Sequence, residues 1–310
     1  MKETMGYVKP MLPFLLGWGL LLLSSEFREI SLLNGIAQLV LFTFVVCVPA
    51  WKTERMSYVD IGWPMGLAVI GVLTLMYTDG YWLRKAIVSA VYLFVGLRMG
   101  IAAISLWKNG HLNREFPRYE YQRLRWKRSG RKNIPMLIQV EVLVQGLANA
   151  SFLAFPAFII GMNPVQSISP LEIAGLMIWL AAFAVESVAD IQKSAFLKKM
   201  RQEGKKNMVC NVGLWRYSRH PNYFAEWMVW NGLVIASIPS WIALYDTMGQ
   251  VTIWLLLGGG LLFASRIMYT TLVYYTGAVP AEYYSVKKRP DYKTYQSQTN
   301  RFFPGPVKRL

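Results

Sequence analysis

Ile30–Ala50 reads ISLLNGIAQLVLFTFVVCVPA, a run without one charged side chain. A hydrocarbon core about 30 Å thick is crossed by roughly 20 apolar residues in a helix. The run has that length, and its apolar residues are continuous rather than gathered on one stripe, so its surroundings must be apolar too. Seven further runs flank it: Met11–Leu23, Tyr58–Tyr77, Leu83–Trp107, Pro135–Ile160, Leu171–Ile191, Tyr223–Leu244 and Val251–Tyr275. Charged residues make up 16% of the chain, against about 25% in an ordinary soluble domain, which excludes that class. The pattern predicts an all-α polytopic membrane helix bundle with seven strong spans and one weak one. Met11–Leu23, short and interrupted by Pro13 and Gly17, is then an extra N-terminal segment. Lys2 and Lys9 resemble the start of a signal peptide, but no small-residue cleavage site follows.

The connections carry the orientation. Lys108–Lys132 holds nine Lys or Arg residues, Lys193–Arg219 eight and the tail beyond Tyr275 seven, whereas Gly161–Pro170 and Tyr245–Gln250 hold none. The positive-inside rule places the three basic regions and the C-terminal tail in the cytoplasm. The N-terminus then lies inside if eight segments cross and outside if seven do. The net charge of +16 reads as this topology signal and as attraction to membrane lipids or an anionic cofactor, not as nucleic-acid binding. Two cysteines, Cys47 and Cys210, and two histidines, His111 and His220, make neither a disulfide scaffold nor a zinc site.

Ionisable groups at membrane depth are expensive and mark function or internal pairing. Asp60, Arg98, Glu141, Glu186, Asp190, Glu226 and Arg266 all fall inside apolar runs. Glu186 and Asp190 are four apart, on one helical face. With Glu226 they belong to the cytosolic ends of their helices, where a polar ligand has access.

The densest chemistry lies in Gly213-Leu214-Trp215-Arg216-Tyr217-Ser218-Arg219-His220-Pro221-Asn222-Tyr223-Phe224-Ala225-Glu226. Arg216, Arg219 and His220 gather donors just ahead of a membrane helix. Pro221 suits the first turn of that helix, where a missing N–H is harmless. Asn222 and Glu226 follow on one face, one turn apart. A helix N-terminus of this kind favours an anion such as phosphate.

The stretch from Arg219 to Glu226 resembles the steroid 5α-reductase superfamily, and most closely its bacterial branch labelled domain of unknown function 1295. Three other stretches share the resemblance: Ser57–Trp63; Glu186–Lys193 with Phe196 and Lys198; and the tail from Gly277 to Glu282, through Asp291-Tyr292 and Tyr295, to Arg301-Phe302-Phe303-Pro304. It covers roughly Ser57 to Pro304 and implies a seven-helix bundle that binds NADPH from the cytosol. Asp190, Asn222 and Glu226 occupy the cofactor-holding positions. Glu186, Lys198, Arg216, Arg219, His220, Tyr223, Glu282 and Tyr284 are further candidates for contacts to the cofactor. The reductases move hydride to the β-carbon of an enone while a Glu and a Tyr polarise its carbonyl. Asp60 takes the Glu position. The Tyr position falls near Leu97 and Arg98, with Tyr92 about a turn earlier, so Asp60, Tyr92 and Arg98 are the catalytic candidates. A protonated Asp60 in an apolar site would donate a hydrogen bond. The chain divides accordingly into N-terminal membrane segments (1–56), substrate-side helices with a basic loop (57–134) and a cofactor-binding region (135–310). The implied substrate is a steroid-like or other lipid that enters from the bilayer, and the implied residence is a bacterial inner membrane.

Two alternatives stay open. Isoprenylcysteine carboxyl methyltransferases carry a similar Arg-His-Pro motif that serves S-adenosylmethionine. Asp190 with Gln192 and Lys193, and the Asn after Arg-His-Pro, favour reduction. A non-catalytic lipid-binding protein or a transporter is the other alternative, and a transporter predicts broken helices and internal repeats. No repeat is visible in the sequence.

Overall fold

A computed structural model describes residues 2–308, with side chains from residue 5 onward. Every regular element in it is helical: α1 Lys2–Val8, α2 Leu12–Leu23, α3 Arg28–Phe42, α4 Val48–Thr53, α5 Val59–Tyr77, α6 Trp82–Lys108, α7 Pro117–Arg128, α8 Ile134–Ala150, α9 Phe155–Gly161, α10 Pro170–Gln202, α11 Pro221–Ala243, α12 Tyr245–Met248, α13 Val251–Thr270, α14 Ala278–Lys288 and α15 Tyr292–Gln298. A wide π turn at Thr43–Cys47 joins α3 to α4, and a second at Thr271–Tyr275 follows α13.

Six stretches are long and apolar enough to cross a membrane: Arg28–Thr53, Val59–Tyr77, Trp82–Lys108, Ile134–Gly161, Pro170–Gln202 and Val251–Lys288. This is a multi-pass membrane protein. The expected seventh span, Tyr223–Leu244, is helical as α11 but is not among the six. Asn222, Glu226, Asn231, Ser237 and Ser240 dilute its hydropathy. At about 1.5 Å per residue, α10 is about 50 Å long and overreaches a hydrocarbon core of about 30 Å. Its last turns, with Lys198, Lys199 and Arg201, therefore extend into water.

The chain forms two compact units, Met1–Ile173 with Val234–Ala264, and Ala174–Leu233 with Ser265–Leu310. In the first unit, α5 and α6 form an antiparallel hairpin. A Cβ at Gly96 would strike the backbone at Pro64 and Ala68, so the glycine permits the close approach. Several polar groups inside the unit pair with one another, as favoured where water is excluded, although the Ser31 and Ser89 hydroxyls and Asn149 Oδ1 are buried without a partner. Asn34 donates to the Asn149 carbonyl at 3.1 Å, Gln38 to the Gly66 carbonyl at 2.9 Å, and Asn149 to the Trp63 carbonyl at 3.0 Å. The α8–α9 span is interrupted just after Asn149, at residues 151–154. Arg84 is buried with Glu172 at 2.6 Å and also donates to the carbonyls of Asn163 and Ser167. The Gly6 backbone lies against the Arg131 guanidinium, which puts the N-terminal residues on the side of the basic 108–132 connection.

Candidate functional site

The second unit presents the motif through a short sequence of constraints. Gly213 has φ +55°, a left-handed conformation natural to glycine. The next amide, Leu214 N–H, donates to Gln192 Oε1 of α10 at 2.8 Å. Trp215 Nε1 donates to the Ala189 carbonyl at 2.8 Å, and Lys193 Nζ sits 4.2 Å from the centre of the indole. The loop is thereby fastened to the helix that carries Asp190. Pro221 then opens α11, the position where a missing N–H leaves nothing unsatisfied.

The tail closes over this loop. Ser218 Oγ accepts from His220 N–H at 3.1 Å and donates to the Phe302 carbonyl at 2.9 Å. Arg219 N–H donates to the Asn300 carbonyl at 2.9 Å, Gly305 N–H to the Tyr217 carbonyl at 3.0 Å, and the Tyr295 hydroxyl to the Trp215 carbonyl. At the centre lies Glu282 of α14, only 4% exposed. Its carboxylate receives Arg219 Nε at 2.8 Å and Nη2 at 3.3 Å, Gln296 Nε2 at 3.0 Å and Arg301 Nε at 3.3 Å, with His220 Nε2 at 3.2 Å. Arg219 Nη1 serves the carbonyls of Gln296 and Thr299. Removal from water drives His220 below its usual value of 6.5, against the opposite pull of Glu282. Tyr292 is pushed up to about 12, first by burial and then by the Glu282 charge. Arg219, His220 and Glu282, expected as cofactor contacts, thus turn inward and hold the tail to the motif. A buried carboxylate needs such partners, and the tail brings it to within hydrogen-bond distance of Arg219 and His220.

Asn222 behaves differently. Its Nδ2 donates to Asp190 Oδ1 at 3.0 Å, and its own Oδ1 is buried with no hydrogen-bond donor. Asp190 is exposed. Glu186 lies a turn before Asp190 and Glu226 a turn after Asn222; both are half-buried and engaged by neighbours. Tyr223 stacks on His220, with ring centres 5.3 Å apart. Lys198 and Arg216 are exposed, and Tyr284, half-buried, packs edge-on against Tyr283. The structure therefore brings Asp190 and Asn222 together and gives Arg219 and His220 a different partner, Glu282.

In the first unit Asp60 is partly buried at the start of α5 and meets two side chains of α7. Arg118 Nη2 forms an ion pair with Oδ2, and the Tyr119 hydroxyl donates to Oδ1 at 2.8 Å. Asp60 therefore does not stand alone in an apolar site: two polar side chains meet it. The phenol beside it is the donor. Burial drives Tyr119 well above the usual tyrosine value, and the Asp60 charge adds to the rise. Tyr119 carries a side chain the sequence reading missed. Its only local signal is the spacing of Tyr119, Gln122 and Trp126, the buried face of α7. Nearby, Gln122 Nε2 donates to Glu141 Oε2 at 3.1 Å.

Tyr92 and Arg98 do not join Asp60. The hairpin register sets Gly96 beside Pro64 and Ala68, and Ala103 with Ile61. Tyr92 is thus about three turns, or roughly 16 Å, along the axis from Asp60. It is fully buried and donates to the Leu153 carbonyl at 2.6 Å. Arg98, about a turn and a half away from Asp60 along the hairpin, is exposed.

A model of the family described as "Protein of unknown function (DUF1295)" matches residues 43–299. No curated protein and no solved structure gives a match. The matched region takes in the Asp60 cluster, the Asp190–Asn222 pair and the Glu282 hub, and on this match the chain belongs to the DUF1295 family.

Proposed function

We propose that this protein is an NADPH-dependent membrane reductase that saturates an activated C=C bond in a steroid-like or other lipid substrate, on the plan of the steroid 5α-reductase superfamily. The Asp190–Asn222 pair carries the reading. Asn222 Oδ1 is a buried acceptor with no donor, beside the exposed carboxylate of Asp190. A buried acceptor left unmet costs about 1–3 kcal/mol, so the site is complete only when something donates to it. The carboxamide of a nicotinamide offers two N–H groups of the required kind. The exposed cations Lys198 and Arg216, with Lys205 and Lys206 on the same connection, suit the phosphates. Arg219 and His220 have no part in this, since Glu282 holds them.

NADPH, when bound, supplies a hydride for the β-carbon of an enone. The carbonyl oxygen then gains negative charge, and a proton must reach the α-carbon. Donors already oriented toward that oxygen lower the barrier. In this chain the Tyr119 hydroxyl would be the neutral donor for that role, its one O–H turning from Asp60 Oδ1 to the carbonyl oxygen when substrate binds. Asp60 positions it and Arg118 balances the carboxylate. The substrate would come from the bilayer and the cofactor from the cytosol, with the C-terminal tail on the cytosolic side of a bacterial inner membrane.

The test is a titration of the detergent-purified protein with NADPH, NADH and S-adenosylmethionine, followed by tryptophan fluorescence. NADPH should bind most tightly. Asp60→Asn should leave that binding intact and lower turnover of an enone lipid. Binding of S-adenosylmethionine in place of NADPH would overturn the reading in favour of methyl transfer.

A further inference from the structure

We propose that the basic face of α7, with the span ends around it, holds the phosphodiester headgroups of anionic phospholipids. The inference stands apart from the reductase reading and uses other residues. α7 links the end of α6 at Lys108 to the start of α8 at Ile134, so it lies where two membrane spans end. The Thr53 end of α4 is there too, because Arg55 donates to the Leu112 carbonyl and the Met56 N–H to Glu115 at 2.8 Å. Trp51 and Trp107, 63% and 52% exposed, stand beside Lys52 and Lys108 at these same ends. Exposed tryptophans of this kind mark headgroup depth.

α7 is held in place by one face. Tyr119, Gln122 and Trp126 are buried, and Tyr119 and Trp126 pack with Val46, Met56 and Leu137. Tyr121, Arg125 and Arg128 recur at intervals of four and three residues, which lines them up beside the buried face as a single stripe. The connection from Lys108 to Lys132 carries nine cations against the two carboxylates Glu115 and Glu120. Glu115 accepts from the amides of Met56 and Ser57 and from the Ser57 hydroxyl, so it is drawn into the protein. Glu120 is exposed and off the stripe. A row of cations along a helix surface at interface depth matches a plane of headgroups. The occupant is therefore the membrane's own anionic lipid.

The experiment uses the full chain in an uncharged maltoside detergent, with lipid binding read by native mass spectrometry. Phosphatidylglycerol and phosphatidylcholine are offered in separate arms, and inorganic phosphate is added as competitor. Each cation near an anionic membrane surface contributes about 1 kcal/mol, so Arg125→Gln with Arg128→Gln should weaken phosphatidylglycerol binding about 30-fold. Arg125→Lys with Arg128→Lys should retain it. A control pair, Lys205→Gln with Lys206→Gln, removes the same charge from the other basic connection and should change it less than about threefold. Equal retention of phosphatidylcholine, equal loss in the control pair, or displacement of the lipid by equimolar phosphate would each overturn the proposal. NADPH affinity, measured on the same samples, should be unaffected by the Arg125 and Arg128 variants. It reports separately on the reductase reading.

Discussion

Arg219 and His220 on one side of Pro221, and Asn222 on the other, are three residues of one short motif in two different environments. The first two are 7% and 4% exposed and close on Glu282, which five nitrogens from four side chains approach. Asn222 instead reaches the exposed Asp190 and keeps one buried oxygen without a donor. A saturated network of charges holds structure together. An incomplete one beside solvent has capacity for a ligand. The difference follows from helix geometry. Arg219 and His220 precede α11, where the chain can turn back toward the tail, whereas Asn222 sits in the first turn and must follow the helix toward α10.

The largest effect that could break this comparison is on stability. Glu282→Ala strands the buried Arg219 and leaves His220 and Arg301 without their carboxylate. Breaking a buried pair in this way costs about 3–5 kcal/mol. Thermal unfolding of the purified variant should show a drop of several degrees, and Glu282→Gln, which keeps an acceptor oxygen, should show less. Unchanged stability with lost NADPH binding would reverse the roles assigned to the two sets.

A smaller effect is expected on the open pair. Asp190→Ala and Asn222→Ala each remove part of a charge-assisted contact, worth about 1.5–3 kcal/mol, which is roughly 10- to 100-fold in NADPH affinity. Their unfolding temperatures should stay close to that of the parent. Normal NADPH affinity in both variants would sink the cofactor assignment.

The smallest effect is pH dependence. The folded His220 lies below its unfolded value of 6.5, so the unfolded chain binds the proton more readily between those two values. The contribution is present above about pH 6.5 and is lost as pH falls through the folded value. Unfolding temperature measured between pH 8 and pH 5 should decline on the acidic side, and His220→Gln should flatten that part of the decline. An unaltered profile in the variant would assign the acid sensitivity to other groups.

The membrane character was legible residue by residue. Ile30–Ala50 became part of the Arg28–Thr53 span, and Leu83–Trp107 became α6 with ends shifted by a residue. Helical spans satisfy their own backbone hydrogen bonds, so length and apolarity suffice to identify them. The contact of Asn222 with Asp190 was not legible, since 32 residues separate them and no period relates them. Nor was the Glu282 hub, since its partners lie up to 63 residues away and no period relates them. Tyr119 was hidden for a similar reason. It belongs to a basic connection whose charges announce only which side of the membrane it occupies.

Tyr92 shows where reading by linear position fails. It lies near the aligned tyrosine position, yet the α5–α6 register carries it about three turns from Asp60 and commits its hydroxyl to Leu153. Composition and run length by themselves determined that this chain is a helical, multi-pass membrane protein with its positive charge concentrated in two connections and the C-terminal tail. Helix register, the turn before Pro221 and the return of the tail decided which charges are closed on one another and which are left open. Transfer into a membrane depends on the apolarity of each segment summed along the chain, whereas a site depends on which side chains meet, and only the packed helices decide that.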